Sequence, residues 1–352
     1  MTAAASADAE ESQPTRRLRR LRQLGLNHQM DRVNEAVRQI WEQPSGPRPA
    51  AIRIRPDFLL ARETGAERSH APMSHLLNSR GVALRLFLLA LFEAQCRPTS
   101  AEPSQNTRPL SGHMGWGELI AIDAAWSQPD RTYLHPSKQN RTLDSSRDRQ
   151  VKGALRTLEE HRDQALVAVP TKANGRHRDY ARFRLMRESG QGGVLTPAYY
   201  TVPGAGEPTV GIPCQFFLRG WVQVLYPSEI ATWLALRVLQ AAHPAKHNES
   251  GVFLYGQARE HYFHLLRDTY EDSCRNLVDF GLIRHAQPAT PASAAVPGAV
   301  DLFSLFLLSL PETDEDGRVR YKPNRYQLTD DGLDGDALAV SMTTFQAKRN
   351  EQ

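Results

Sequence analysis

ALRTLEEHRDQALVAVPTKANGRHRDYARFRLMR, residues 154–187, is the stretch on which the reading of this chain turns. It runs from the end of a helix through an apolar segment (165–169), a basic turn (TKANGRHRD) and a strand over 181–187. In that strand Phe183 and Leu185 alternate with Arg182 and Arg184, so the two arginines share one face. Upstream, a helix is expected over 145–161. Val151, Ala154, Leu155 and Leu158 fall on one face of it at i, i+3, i+4 and i+7, the side that packs on a core. Ser145, Arg147, Arg149, Lys152 and Arg156 fall on the remaining sectors, with Gly153 beside them. A glycine in mid-helix costs about 1 kcal/mol relative to alanine, and close approach of another molecule to the backbone is one reason to keep it. The alternative is a solvated helix face on which Arg156 pairs with Glu160.

Charge sharpens the choice. The chain of 352 residues carries a net charge of +4, but residues 131–187 alone hold 14 Lys and Arg against 6 Asp and Glu. In the turn and the strand after it, Lys172, Arg176, Arg178, Arg182 and Arg184 are opposed only by Asp179. So basic a turn repels itself unless an anion relieves it, which is the expectation for a surface that neutralises phosphates. The excess of arginine over lysine, 37 to 6, fits a GC-rich coding sequence and carries no weight by itself.

Outward from this stretch, residues 1–15 are small and polar, expected as a disordered tail. Residues 16–79 form an extension: a helical pattern over 16–41 that begins RRLRRLR, a Pro/Gly break, and a short strand marked by Ile52 and Ile54. The arginine run either tracks a phosphate backbone or lies as a solvated face beside an acidic partner. A first unit spans 80–188, with an all-round apolar helix near 82–92, a loop over 97–111, a short helix over 117–126, then the helix, basic turn and strand above. Residues 189–213, rich in Gly, Pro and Thr, are expected as a linker. A second unit over 214–333 repeats the order: an apolar entry strand (216–226), a helix from 227 to 242 capped by Ser228, a short helix at 255–264, a third at 268–280, and strands at 282–285, 302–310 and 326–328. Residues 288–298 are expected as a wing or loop, and 334–352 as a C-terminal tail.

The phrases ALRTLEEHRDQALVAVP (154–170) and CRNLVDFGLIRH (274–285) resemble the junction between third helix and first wing strand in winged helix-turn-helix proteins. Two such units in tandem are similar to plasmid and phage replication initiators and to some bacterial transcription regulators. The first unit departs from the pattern, with His161, Arg162 and Asp163 where glycine commonly stands. The resemblance implies a mainly α fold with small antiparallel sheets (α+β): two winged-helix domains joined by a Gly/Pro-rich linker. It also implies double-stranded DNA as partner, with Arg149, Lys152 and Arg156 in the major groove and Lys172, Arg176 and Arg178 on the backbone.

In the second unit the third helix mixes Arg267 and Arg275 with Glu271, Asp272 and Asp279, a poor face for phosphates. Arg267, Arg275 or Asn276 could make a second DNA contact, but a homodimer or protein partner suits it better, as it does the N-terminal helix. A winged-helix adaptor that meets an acidic protein without touching DNA is the rival reading. Catalytic signatures, phosphate loops and GxSxG or HExxH motifs do not occur, so an enzyme is not expected, nor a cofactor. His261 and His264 in EHYFH lack a third ligand, and Pro244 separates His243 from His247, so no metal is expected. Tyr199 and Tyr200 lack the histidine pair of a nucleophilic-tyrosine endonuclease. Cys96, Cys214 and Cys274 form no paired motif. No secretory h-region opens the chain, and the run at 82–92 is too short to span a bilayer of about 20 helical residues. A cytoplasmic protein without membrane contact is expected.

Overall fold

The computed structural model describes residues 12–64, 67–77, 82–98, 106–122, 126–127, 132–133, 143–160, 164–173, 175–190, 197–286 and 324–351. Helices α1 (Gln13–Gly25) and α2 (Gln29–Trp41) stand where one continuous pattern over 16–41 was expected. Asn27 and His28 break it, both left-handed at φ 53° and 55°; asparagine tolerates that region through local bonding of its short side chain. Strand β1 (Ala51–Ile54) alternates inward and outward as Ile52 and Ile54 predict. The hairpin β2 (Arg62–Thr64) and β3 (Glu67–Ser69) and the short helix α3 (Pro72–Leu77) lead to α4 (Ala83–Cys96). Every residue of α4 is buried.

The helix expected at 117–126 is one 3-10 turn, Trp116–Leu119, followed by the two-residue strands β4 (Trp126–Ser127) and β5 (Thr132–Tyr133). Helix α5 (Leu143–Glu160) matches the predicted span closely and packs on α4. Val151, Ala154, Leu155 and Leu158 are its buried stripe. Beyond it, β6 (Val167–Ala168) pairs antiparallel with β7 (Arg184–Leu185), and a bridge joins Thr171 to Arg178. The strand expected over 181–187 is shorter because Tyr180–Arg182 form a 3-10 turn. The Asn106 amide donates to the Phe183 carbonyl at 3.3 Å, adding a third contact to the hairpin's edge.

Within the stretch expected as a linker, β8 (Val210–Pro213) pairs antiparallel with β1, Ile52 opposite Ile212. The entry expected as a strand at 216–226 is instead two helical turns, α6 (Gln215–Leu218) and α7 (Trp221–Val224), turned at Gly220 with φ 81°. Helix α8 (Pro227–Ala242) begins at an N-cap on Tyr226, not Ser228. Proline takes the first helical position, where no amide is needed, and the Glu229 carboxylate accepts from the Tyr226 amide at 2.7 Å. Then come α9 (Pro244–Ser250), α10 (Gly256–Phe263) and α11 (Arg267–Asp279). Tyr270, Cys274 and Leu277 form the buried side of α11, and Gly281 at φ 73° closes it. Strand β9 (Ile283–His285) pairs with β10 (Tyr326–Leu328), whose Tyr326 also bridges Val252. Residues 288–298 and 302–310 lie outside the described residues. Residues 334–352 are largely no tail: α12 (Ala337–Asn350), capped by Asp336, packs along α1.

The protein is thus mainly helical with two-stranded antiparallel sheets. One contiguous set of buried side chains reaches from Leu18 to Phe345. The arginine run RRLRRLR is not one exposed face. Arg16 and Arg22 are exposed, whereas Arg17 and Arg20 are buried. Arg17 pairs with Glu229 at 2.8 Å and donates to the Val224 carbonyl at 3.0 Å, while Arg20 donates to Val224 at 2.6 Å and Gln223 at 3.0 Å. Both guanidinium groups lie over the Tyr226 ring, at 3.7 and 4.8 Å. Open carbonyls at the end of α7 and the carboxylate at the start of α8 are the acceptors these buried guanidinium groups reach. Replacing Arg17 by Met leaves Glu229 buried and unmatched, so the variant is expected to lose about 3–5 kcal/mol of stability in urea unfolding.

Candidate nucleic-acid interface

The packed stripe of α5 leaves a defined outer sector. Arg149, Gly153 and Arg156 are exposed on it at i, i+4 and i+7. Arg149 has no ion-pair or hydrogen-bond partner among the described residues. A Cβ built on Gly153 meets nothing within 4 Å, so nothing inside the protein requires glycine there. Arg156 donates from Nε to the Tyr180 hydroxyl at 2.6 Å, and that bond raises its pKa further and keeps it charged. Lys152 is tied to Asp148 at 2.6 Å. Arg147, expected with the outward donors, is turned inward: it is 9% exposed, packs against Gly117 and donates to Gln29 at 3.4 Å. The side chain of Ser145 lies outside the described residues.

The basic turn closes as a hairpin. The Lys172 amide donates to the His177 carbonyl at 2.7 Å, and Gly175 takes the left-handed conformation at φ 67°. Lys172, Arg176 and His177 are exposed at its tip. Arg178, expected on phosphate, forms an ion pair with Glu159 of α5. Arg182 is 74% exposed and 3.8 Å from Asp179; Arg184 is exposed with its guanidinium 5.2 Å from the Tyr199 ring centre. A cleft lined by Arg156, Glu159, Glu160, Arg178 and Tyr180 separates helix from hairpin. Helix and hairpin therefore place Arg149, Arg156, Lys172, Arg176 and Arg178 on exposed surface, with Arg156 bonded to Tyr180 and Arg178 paired with Glu159, while Arg147 is buried and Lys152 is paired with Asp148. Residues 161–163 and Asn174 lie outside the described residues.

Glu159 and Tyr180 were not singled out from sequence. A carboxylate beside a basic cluster reads as repulsive to phosphate, and its reach to Arg178 depends on how the hairpin folds back. The spacing from Arg156 to Glu159, three residues on one helix face, was the available signal.

On α11, Arg267 pairs with Glu271 and Arg275 with Asp272, each at 2.8 Å. Asn276, expected as a base reader, is half-buried. It donates to Glu229 at 3.0 Å and accepts from Lys348 at 3.1 Å, so its amide is spent on packing α8, α11 and α12. His247 is buried and its Nε2 accepts from the Leu328 amide at 2.8 Å. His264 lies 2.8 Å from His70, and burial together with that neighbour lowers its pKa. Among the described residues no group of three His, Cys, Asp or Glu is placed to hold a metal, and no helix is long and apolar enough to cross a membrane. Tyr200 is buried, its hydroxyl accepting from Gln95 at 3.0 Å.

No protein-family model, curated protein or solved structure matches the chain. The geometry of its own residues therefore carries the functional reading. One consequence is independent of any ligand: because the space around Gly153 is open, Gly153→Ala should stabilise α5 by about 1 kcal/mol or less, seen as a raised thermal midpoint.

Proposed function

We propose that the protein binds double-stranded DNA with the outer face of α5 and the tip of the β6–β7 hairpin, acting in the cytoplasm as a replication initiator or transcription regulator. The observation that carries this reading is the exposed stripe Arg149–Gly153–Arg156 opposite a fully packed stripe on the same helix. Seven residues at about 1.5 Å rise put the two arginines roughly 10 Å apart along the axis, within a major groove about 12 Å wide. Between them Gly153 leaves room for close approach. Lys172 and Arg176 stand to one side, where the flanking backbone would run. The order α4, 3-10 turn, α5, β6, β7, with the short β4–β5 pair inserted before α5, supports a winged helix-turn-helix reading. So does the order α8, α9, Val252 bridge, α10, α11, β9, β10 in the proposed second unit, in which α9 is an added helix.

The outer side of α11 has its arginines matched by carboxylates, which favours self-association or a protein partner for the second unit over a second DNA contact. On duplexes in fluorescence anisotropy, Lys172→Ala with Arg176→Ala should weaken binding to all sequences alike. The log–log salt slope should fall by about 0.9 per cation removed. Arg149→Ala should instead blunt preference among sequences, by about tenfold for a lost bidentate contact. Gly153→Ala should bind more weakly while being more stable. No retardation of any duplex by the full chain at about 50 mM salt would sink the proposal and favour the adaptor that does not touch DNA.

A further inference from the structure

Glu159 of α5 reaches the hairpin at two points. One oxygen accepts from the Val169 backbone amide at 2.9 Å, just past β6; the other pairs with Arg178, whose backbone bridges Thr171 on the opposite strand. Both sides of the hairpin's base are thereby held by one side chain. One turn earlier, Arg156 offers the opposite charge to the Tyr180 hydroxyl at 2.6 Å. The last turn of α5 thus presents a donor to Tyr180 and an acceptor to Val169 and Arg178. The Leu166 amide, bonded to the Leu158 carbonyl at 2.9 Å, anchors the same corner.

We propose that Glu159 is a positioning residue that fixes the hairpin against α5 and withholds Arg178 from phosphate. The inference rests on the DNA-binding reading above for its consequence, though not for its geometry. With its charge matched inside the protein, Arg178 releases no DNA counterion. Lys172, at the tip beyond the clip, remains exposed to do so. Removing the Glu159 charge while keeping an acceptor for Val169 should turn Arg178 outward as an additional phosphate ligand.

Glu159→Gln supplies that change, since its amide oxygen still accepts from Val169. Its salt slope on duplex DNA should steepen by about 0.9, the increment for one more neutralised phosphate, with several-fold tighter binding at low salt. Arg178→Ala in the otherwise unchanged protein should leave the slope where it was. An unchanged slope in Glu159→Gln, or a slope reduced by about 0.9 in Arg178→Ala, overturns the proposal. A second measurement needs no DNA. Amide hydrogen exchange at Val169 should quicken at least tenfold in Glu159→Ala and stay near the unaltered rate in Glu159→Gln; equal protection in all three proteins overturns the clip. Should the full chain retard no duplex, the DNA reading falls, while the exchange experiment still decides whether Glu159 positions the hairpin.

Discussion

Helix α4 has no side facing water, and the rest of the structure follows from having to cover it. Its neighbours come from widely separated parts of the chain: α2, α3, α5, α7 and β1. Burying a leucine or phenylalanine is worth about 1.5–3 kcal/mol, and α4 contributes Leu84, Leu86, Phe87, Leu88, Leu89, Leu91 and Phe92. Its polar members are satisfied in place. Arg85 donates to the Ala121 carbonyl at 3.0 Å, and Glu93 pairs with Arg97 at 2.5 Å. Helix α5 must spend Val151, Leu155 and Leu158 on this surface, so its rotation about its own axis is set. What faces outward, Arg149, Gly153 and Arg156, is a consequence of what faces inward.

Arginine does two different jobs in this protein, and charge counting does not separate them. Arg17, Arg20, Arg55 and Arg85 are buried. Each finds carbonyl or carboxylate acceptors from a remote part of the chain. Arg55 pairs with Glu188 at 2.7 Å and Glu207 at 2.6 Å, and its hydrogen bond holds the Glu207 carboxyl down at about 2. The basic excess over 131–187 is divided in the same way. Among the described residues, Arg147 is buried and Arg178 is paired with Glu159, whereas Arg149 and Lys172 are exposed.

Periodicity made the helices with one apolar stripe legible. The stripes of α5 and α11 and the all-round burial of α4 follow from residue spacing alone, because a 3.6-residue repeat has one geometric solution. Elements that depend on remote partners were not legible. Residues 216–226 are apolar on consecutive positions, a pattern that strand and buried helix share; Gly220 in a left-handed turn decides for two short helices. Helix α12 carries only Ala337, Ser341 and Phe345 as buried residues, a stripe too narrow to be read without α1 beside it. At the candidate site, the outward positions of Arg149, Gly153 and Arg156 were readable from the helical wheel. The inward turn of Arg147 and the capture of Arg178 by Glu159 were not, since both depend on where a loop or hairpin comes to rest.

The pairing of β1 with β8 has a consequence for the nascent chain. Synthesis delivers residues 51–54 long before 210–213, so one edge of β1 must wait for its ladder. The other edge need not: the Gln95 side chain accepts from the Arg53 amide at 2.9 Å and donates to the Arg53 carbonyl at 2.7 Å. An unpaired edge invites other strands. By lending its amide, Gln95 allows α4 to shield half of β1 as soon as it emerges from the ribosome, leaving a single edge for β8 to close.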